Sequence, residues 1–124
     1  MQYVLLIYHG TTPLPNTPEF AALSEKEQKR IYDESTNDYA AINATAGVTP
    51  GLPLGLPGDA TTVWVNDEGK MVIADGPFIN KQSSIGGWYI YEADDLDAAL
   101  DLAARIPQAR FGGAIEVRPV ATYW

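Results

Sequence analysis

The stretch YVLLIYH, residues 3–9, predicts a β-strand whose two faces are both apolar. Successive side chains of a strand point to opposite sides, so Tyr3 and Leu5 share one face while Val4 and Leu6 share the other. An apolar face is stable only when another layer of the protein covers it. The first strand therefore predicts a sheet that lies between two covering layers.

A long amphipathic helix is predicted after a loop at residues 11–20, which contains three prolines. Ser24 opens a capping box with Glu27, in which the serine hydroxyl accepts from the glutamate backbone N–H. Apolar residues then recur at steps of three and four from Ile31 to Ala46, as one face of a helix requires. Gly47 supplies the left-handed residue that ends the helix.

Five further strands are predicted. Residues 52–56 lie in a segment rich in Gly and Pro and are interpreted as an irregular or edge strand. Residues 60–65 and 70–74 flank the turn sequence NDEG and predict a β-hairpin. Residues 87–92 and 114–120 complete the set, and the strand at 114–120 is expected to lie inside the sheet.

A second helix is predicted between the last two strands. Asp94 or Asp95 caps its start, because a side-chain carboxylate accepts from backbone N–H groups there. Its buried stripe is formed by Leu96, Ala99, Leu100 and Ala103. Pro107 prevents the helix from continuing.

The order of these elements predicts an α+β fold of the ferredoxin-like type. Two β-α-β halves with a hairpin between them give an antiparallel sheet with two helices on one face. Two helices cover only that face, while the strands are apolar on both. We therefore predict a homodimer in which the sheet of a second subunit packs on the open face.

Composition limits the classes of function. A length of 124 residues favours a single domain, 1–124, and a formal net charge of −8 argues against binding of nucleic acid, whose phosphates require clustered basic residues. The chain has no cysteine, which excludes disulfides and thiolate catalysis. The apolar run at residues 4–8 is too short to span a membrane, so a cytoplasmic location with no membrane partner is the expectation.

The sequence DGPF, residues 75–78, marks one candidate site at a sharp turn after the hairpin. Asp75 either directs its carboxylate into a cleft, where it could act as a catalytic base, or bonds to the backbone of its own turn. Phe78 is expected to anchor the core, with a ligand platform as the alternative.

Glu116 and Arg118 share one face of the last strand. Buried charges are costly unless they are paired, so each is expected to pair with a neighbouring strand, and Arg118 first with Asp75. The alternative is that Arg118 binds the carboxylate of a substrate, for which its planar fork is suited.

His9 is the only histidine and the default general base, because its ordinary pKa is closest to neutrality. The alternative is a structural histidine at the end of a strand. No metal-ligand spacing, phosphate-binding loop or other cofactor motif is present, so neither a metal nor a cofactor is predicted.

Five ordered motifs resemble the YCII-related family with the DGPF domain: DGPF at 75–78, GGWY at 86–89, DDLDAA at 94–99, AARIP at 103–107 and EVRPV at 116–120. The resemblance implies a dimeric α+β barrel, with some members linked to sigma factors of the extracytoplasmic type. After DGPF the family commonly carries Ala-Glu-Thr-Lys, whereas this chain has INKQ at 79–82. Asn80 can bind a ligand by hydrogen bonds but cannot take up a proton.

Three functions follow from these observations. The first is a homodimer that binds a small organic ligand in a cleft between helices and sheet, as an accessory or regulatory module. Its predicted ligand-binding residues are Arg118, Asn80, Phe78 and Glu116. The second is a cofactor-independent enzyme for proton transfer or lactone-type isomerisation, with His9 or Asp75 as the base. The third is an interaction protein with no ligand site.

Overall fold

The computed structural model describes residues 1–123, which form an antiparallel sheet of four strands, a separate two-stranded hairpin and three α-helices. The strands are β1 Gln2–Tyr8, β2 Val48–Pro50, β3 Thr61–Val65, β4 Met71–Asp75, β5 Ile85–Glu92 and β6 Ala114–Pro119. The helices are α1 Pro18–Ala21, α2 Glu25–Asn43 and α3 Leu96–Arg105. The predicted α+β class with an antiparallel sheet is confirmed.

The four-stranded sheet has the order β2-β5-β1-β6, and all neighbouring strands are antiparallel. Leu5 at the centre of β1 lies opposite Tyr89 of β5 on one side and opposite Val117 of β6 on the other. Each pair of strands joined by a long helix, β1 to β2 and β5 to β6, has one other strand between them. The hairpin β3-β4 is hydrogen-bonded only within itself.

The core lies between the helices and one face of this sheet. β1 and β5 contribute Tyr3, Leu5, Ile7 and Tyr89, and the helical side contributes Ile42, Ala99, Leu102, Ala103 and Ile106. Leu5, Leu102 and Ile106 are fully buried. Leu96 and Leu100 are 48% and 46% exposed, so their predicted place on the buried stripe of the second helix is wrong. Hydrophobic burial on this single face is therefore the main force that holds helices and sheet together.

Local sequence signals set the ends of both long helices. The Ser24 hydroxyl accepts from the Glu27 N–H at 3.1 Å, and the Asp95 carboxylate accepts from the Ala98 N–H at 2.8 Å. The predicted N-caps are confirmed, and Asp95 is the cap of the second helix. α2 ends earlier than predicted, at Asn43 with Ala44 as a right-handed C-cap, so the prediction that Gly47 ends this helix is wrong. Gly47 has the predicted positive φ, 86°, but in the turn that leads from α2 to β2.

The segment at 52–56 is not a strand, so that prediction is wrong. The paired strand is β2, which ends at Pro50, and beyond it only two backbone bonds reach β5: Gly51 N–H to Trp88 O at 2.9 Å and Leu54 N–H to Gly86 O at 3.0 Å. Pro53 has no N–H to donate, so a continuous ladder cannot form. A short helix, α1, also forms within and just beyond the predicted loop.

β6 lies at the edge of the sheet, so the prediction of an internal position is wrong. The opposite face of the sheet carries the half-exposed side chains of Val4, Leu6, Trp88 and Ile90, and no helix within residues 1–123 packs on it. Among those residues no helix has both the length and the apolar character of a membrane span.

Candidate functional site

A cavity of about 680 Å³ opens between α2, the helix-covered face of the sheet and the chain that follows β2. Ile7, Gly87 and Tyr89 form its floor, and Tyr39 and Asn43 of α2 form one wall. The segment 50–56, which contains three leucines and two prolines, forms another wall. This location, between helices and sheet, is the one predicted for a cleft.

The walls are mainly apolar, and a small set of polar side chains faces the cavity. These are His9, Asn16, Tyr39, Asn43, Asp59, Tyr89 and Gln108. Within residues 1–123 no Lys or Arg lines it. The site therefore combines a large apolar surface with several hydrogen-bonding groups and one carboxylate, that of Asp59.

The glycine pair at 86–87 creates the room for this arrangement. A Cβ placed on Gly86 would lie 1.7 Å from His9 Nε2, so the imidazole ring packs directly over the glycine backbone. A Cβ on Gly87 would lie 3.8 Å from both Ile7 Cδ1 and Leu52 O, which is ordinary contact distance. Gly86 thus admits the His9 ring, and Gly87 leaves the floor of the cavity open.

His9 has a buried ring nitrogen with no hydrogen-bond partner. Its Nδ1 atom is shielded from solvent and forms no hydrogen bond to any of residues 1–123. Burial disfavours the charged imidazolium and lowers the pKa of His9 below its ordinary value. His9 is therefore a neutral imidazole at pH 7, with one nitrogen that needs a partner.

A titration of His9 is expected to show this shift directly. Because the unfolded chain binds the proton more tightly than the folded chain, folding stability falls as pH drops below about 6.5 and through the lower folded pKa. We expect an NMR midpoint below 6.5 for the single histidine, and a flatter pH dependence of stability in His9→Gln. A midpoint at or above 6.5 would contradict burial of the ring.

Two tyrosines and two amides form a hydrogen-bonded group in the wall of the cavity. The Tyr89 hydroxyl donates to Asn43 Oδ1 at 3.0 Å, and the Tyr39 hydroxyl donates to Gln108 Oε1. The tyrosine rings stack with centroids 6.4 Å apart. Burial, with a smaller contribution from Tyr39, raises the pKa of Tyr89 to about 12, so its hydroxyl stays protonated and remains a donor.

The DGPF residues do not line this cavity. Asp75 ends β4 opposite Thr61, and its carboxylate forms no hydrogen bond or ion pair within residues 1–123, so the predicted bond to its own turn is absent. Gly76 takes a positive φ of 95° and turns the chain away from the hairpin. The prediction of Phe78 as a core anchor is wrong, since 83% of it is exposed. Phe78 instead borders a second groove, of about 530 Å³, beside Tyr8.

The remaining predicted ligand-binding residues also lie elsewhere. Asn80 caps the short turn Lys81–Ser83, accepting from the Ser83 N–H at 2.9 Å. Glu116 and Arg118 bond to each other, from Arg118 Nε to Glu116 Oε2 at 2.5 Å, on the open face of the sheet. The predicted pairing of Arg118 with Asp75 is therefore wrong. Of the six predicted site residues, the structure brings only His9 to the large cavity.

Asn16, Asn43, Asp59 and Gln108 are the polar cavity residues that the sequence did not indicate. They come from the loop before α1, the end of α2, a turn before the hairpin and a turn after α3, far apart in the chain. Helical spacing did predict the inward face of α2 that carries Tyr39. Among residues 1–123 no three His, Asp or Glu side chains lie close enough together to hold a metal ion.

The YCII-related domain matches this chain over residues 1–123. The chain belongs to the YCII-related family. An uncharacterised protein of Rhizobium meliloti (strain 1021) is 28% identical over 127 residues, which cover 99% of this chain and 94% of the relative. In this YCII-related protein, the glycine pair that carried part of the resemblance lies beneath the His9 ring at the cavity floor.

Proposed function

We propose that this YCII-related protein binds a small organic ligand in the cavity of about 680 Å³. Ligand sites in proteins are typically concave, about 300–1,000 Å³ in volume and mainly apolar, with a few polar groups that orient the ligand. The observation that carries the proposal is the cavity itself, whose mainly apolar walls also carry the hydroxyl and amide groups of Tyr39, Asn43, Tyr89 and Gln108. These polar groups could orient a ligand whose apolar part fills the rest of the cavity.

Filling the cavity from its floor is expected to abolish binding of an apolar probe. Gly87→Leu places a branched side chain against Ile7 and Leu52, whereas Gly87→Ala adds one methyl at ordinary contact distance. Titration with the neutral dye Nile red, followed by its fluorescence, is expected to show binding to the wild type and to Gly87→Ala. Binding to Gly87→Leu is expected to be at least tenfold weaker, because the apolar surface available to the dye is lost. A tenfold change in the dissociation constant corresponds to about 1.4 kcal/mol of binding free energy.

Equal dye binding by all three proteins would contradict the proposal, because the dye would then lie on another apolar surface. Circular dichroism of Gly87→Leu is the check that the variant keeps its fold. The natural ligand is then sought by native mass spectrometry of protein purified from its own host, where an adduct on wild type that is missing from Gly87→Leu gives the ligand mass.

We also propose that the protein is a homodimer built as a dimeric α+β barrel. The strand order β2-β5-β1-β6 with two helix crossovers supports a ferredoxin-like half-barrel. The half-exposed apolar side chains on the open face, which include Leu6, Trp88 and Ile90, support face-to-face packing with a second copy. This apolar surface lies on the two central strands, where a twofold partner would bury it most completely.

A proton-transfer enzyme is the second candidate, and His9 is the observation that favours it. A general base must be neutral at the working pH and close to the substrate; burial lowers the pKa of His9, and His9 lines the cavity. Asp75 does not border the cavity, so His9 is the proposed base. Incubation of the captured ligand with protein in deuterated water tests this proposal. If the ligand takes up deuterium with the wild type but not with His9→Gln, the protein is an enzyme. Equal rates of deuterium uptake with the two proteins argue for binding alone.

Other predictions rest on the sequence alone. A cytoplasmic location, a single domain over residues 1–124 and a regulatory or accessory role linked to sigma-factor systems stay predictions. An interaction protein without a ligand site is the least favoured of the three functions, because side chains leave a cavity of about 680 Å³ unfilled.

A further inference from the structure

The hydrogen bonds at the cavity wall leave two amide nitrogens, one of them on the exposed residue Asn43, without a partner in the protein. Asn43 Oδ1 and Gln108 Oε1 each accept from a tyrosine hydroxyl, so both amide oxygens are occupied. Asn43 Nδ2 and Gln108 Nε2 form no hydrogen bond within residues 1–123. Both residues line the cavity, so their N–H groups are available as donors to a ligand.

The charges around the cavity disfavour an anion. Asp59 contributes a carboxylate, and His9 is neutral because burial lowers its pKa. Lys81 lines a neighbouring cavity that shares His9 and Asp59 with the large one and is also lined by Glu19. A carboxylate or phosphate brought into the large cavity would lose part of its hydration and meet no Lys or Arg among the lining residues, so its binding is disfavoured.

The residue predicted to bind an anion, Arg118, already has a carboxylate partner away from the cavity. Arg118 bonds to Glu116 on the open face of the sheet, whereas the cavity lies on the helix-covered face. Arg30 and Arg110 form ion pairs with acidic residues of α2. The protein as a whole carries a net charge of −8, which further lowers the local concentration of anions.

We propose that the cavity selects an uncharged ligand that has an apolar body and a carbonyl-type acceptor, such as an amide, ester, ketone or lactone. The amide N–H groups of Asn43 and Gln108 donate to the carbonyl oxygen. Leu52, Leu54 and the aromatic rings cover the apolar body. This inference rests on the proposed function, because it specifies the ligand class of the same cavity.

A matched pair of probes tests the ligand class. 2-Naphthamide and 2-naphthoate have nearly the same size and the same aromatic body, but the first is a neutral carbonyl compound and the second is an anion. The ring protons of His9, the single histidine, report binding at the cavity by NMR. The dissociation constant of 2-naphthamide is expected to be lower by a factor of about ten or more.

A charge-changing variant adds a second, independent measurement. Asn43→Asp keeps the oxygen that accepts from Tyr89 but replaces the donating N–H groups with a second acceptor oxygen. Its affinity for 2-naphthamide is expected to fall about tenfold or more. Asn66→Asp is the matched control, because it makes the same change at the turn of the distant hairpin, where only the side-chain oxygen is used as an acceptor.

The outcomes separate this inference from the proposed function. If 2-naphthoate shifts the His9 resonances with equal or higher affinity, the neutral ligand class is overturned while the cavity remains a ligand site. If Asn43→Asp and Asn66→Asp bind 2-naphthamide equally well, the amide donors are not used and the inference fails. If neither probe shifts the His9 resonances, both the inference and the proposed function are contradicted.

Discussion

Replacing Leu102 by alanine is expected to lower the free energy of unfolding by about 2–5 kcal/mol. Leu102 lies on α3 and is fully buried between this helix and the sheet. Truncation removes buried methyl and methylene groups and leaves a cavity that close-packed neighbours fill only in part. Urea unfolding followed by circular dichroism, at one fixed protein concentration, measures the change.

Leu100→Ala is the matched control for this prediction. Leu100 lies on the same helix but is 46% exposed, so its truncation leaves a smaller cavity. Because the substitution is the same, its effect on helix propensity is the same. The expected cost is under about 1 kcal/mol. Equal destabilisation by both variants would mean that the buried face of α3 is not the one described, because only burial distinguishes the two leucines.

Replacing Ile90 by glutamate is expected to convert a dimer into a monomer. Ile90 lies on the open face of the central strand β5, opposite Val4 and Thr49. The new carboxylate therefore has no acidic residue directly across from it that would repel it within its own subunit. In a face-to-face dimer the carboxylate would be buried without a partner, at a cost of several kcal/mol. The dimer dissociation constant is then expected to rise about a hundredfold or more, because each 1.4 kcal/mol is a factor of about ten.

Sedimentation equilibrium distinguishes the two states by mass. The wild type is expected at twice the 13.5 kDa of the chain, and Ile90→Glu at the mass of one chain. Leu100→Glu, which makes the same charge change on the outer side of α3, is expected to remain dimeric. A wild-type protein that sediments as a monomer would refute the dimer, and a dimeric Ile90→Glu would place the interface on another surface.

The candidate site could be predicted from the sequence only in outline. His9 was identified because its residue type is rare and chemically distinctive, and the glycine pair at 86–87 because it belongs to a family motif. Asn43, Asp59 and Gln108 carry no such signal, because each also occurs as an ordinary residue at the end of a helix or in a turn. The prediction that Glu116 and Arg118 each pair with a neighbouring strand was wrong. Their strand lies at the edge of the sheet, where the two side chains bond to each other.

Most helices, strands and N-caps could be predicted from short stretches of the sequence. Alternation on β1, helical spacing on α2 and the caps at Ser24 and Asp95 act over a few residues, so they can be recognised without knowledge of the fold. The five family motifs were likewise visible in the order of residues alone.

The position of the site depends on tertiary packing. The pairing of β5 with β1 brings Gly86 beneath His9, although the two are far apart in the chain. The helices pack on one face of the sheet, and the segment after β2 bonds to β5 only at Gly51 and Leu54, so a cavity remains between α2, the sheet and this segment. Such distances depend on the packing of whole elements, whereas the DGPF turn, the most recognisable motif, fixes only the bend of its own four residues.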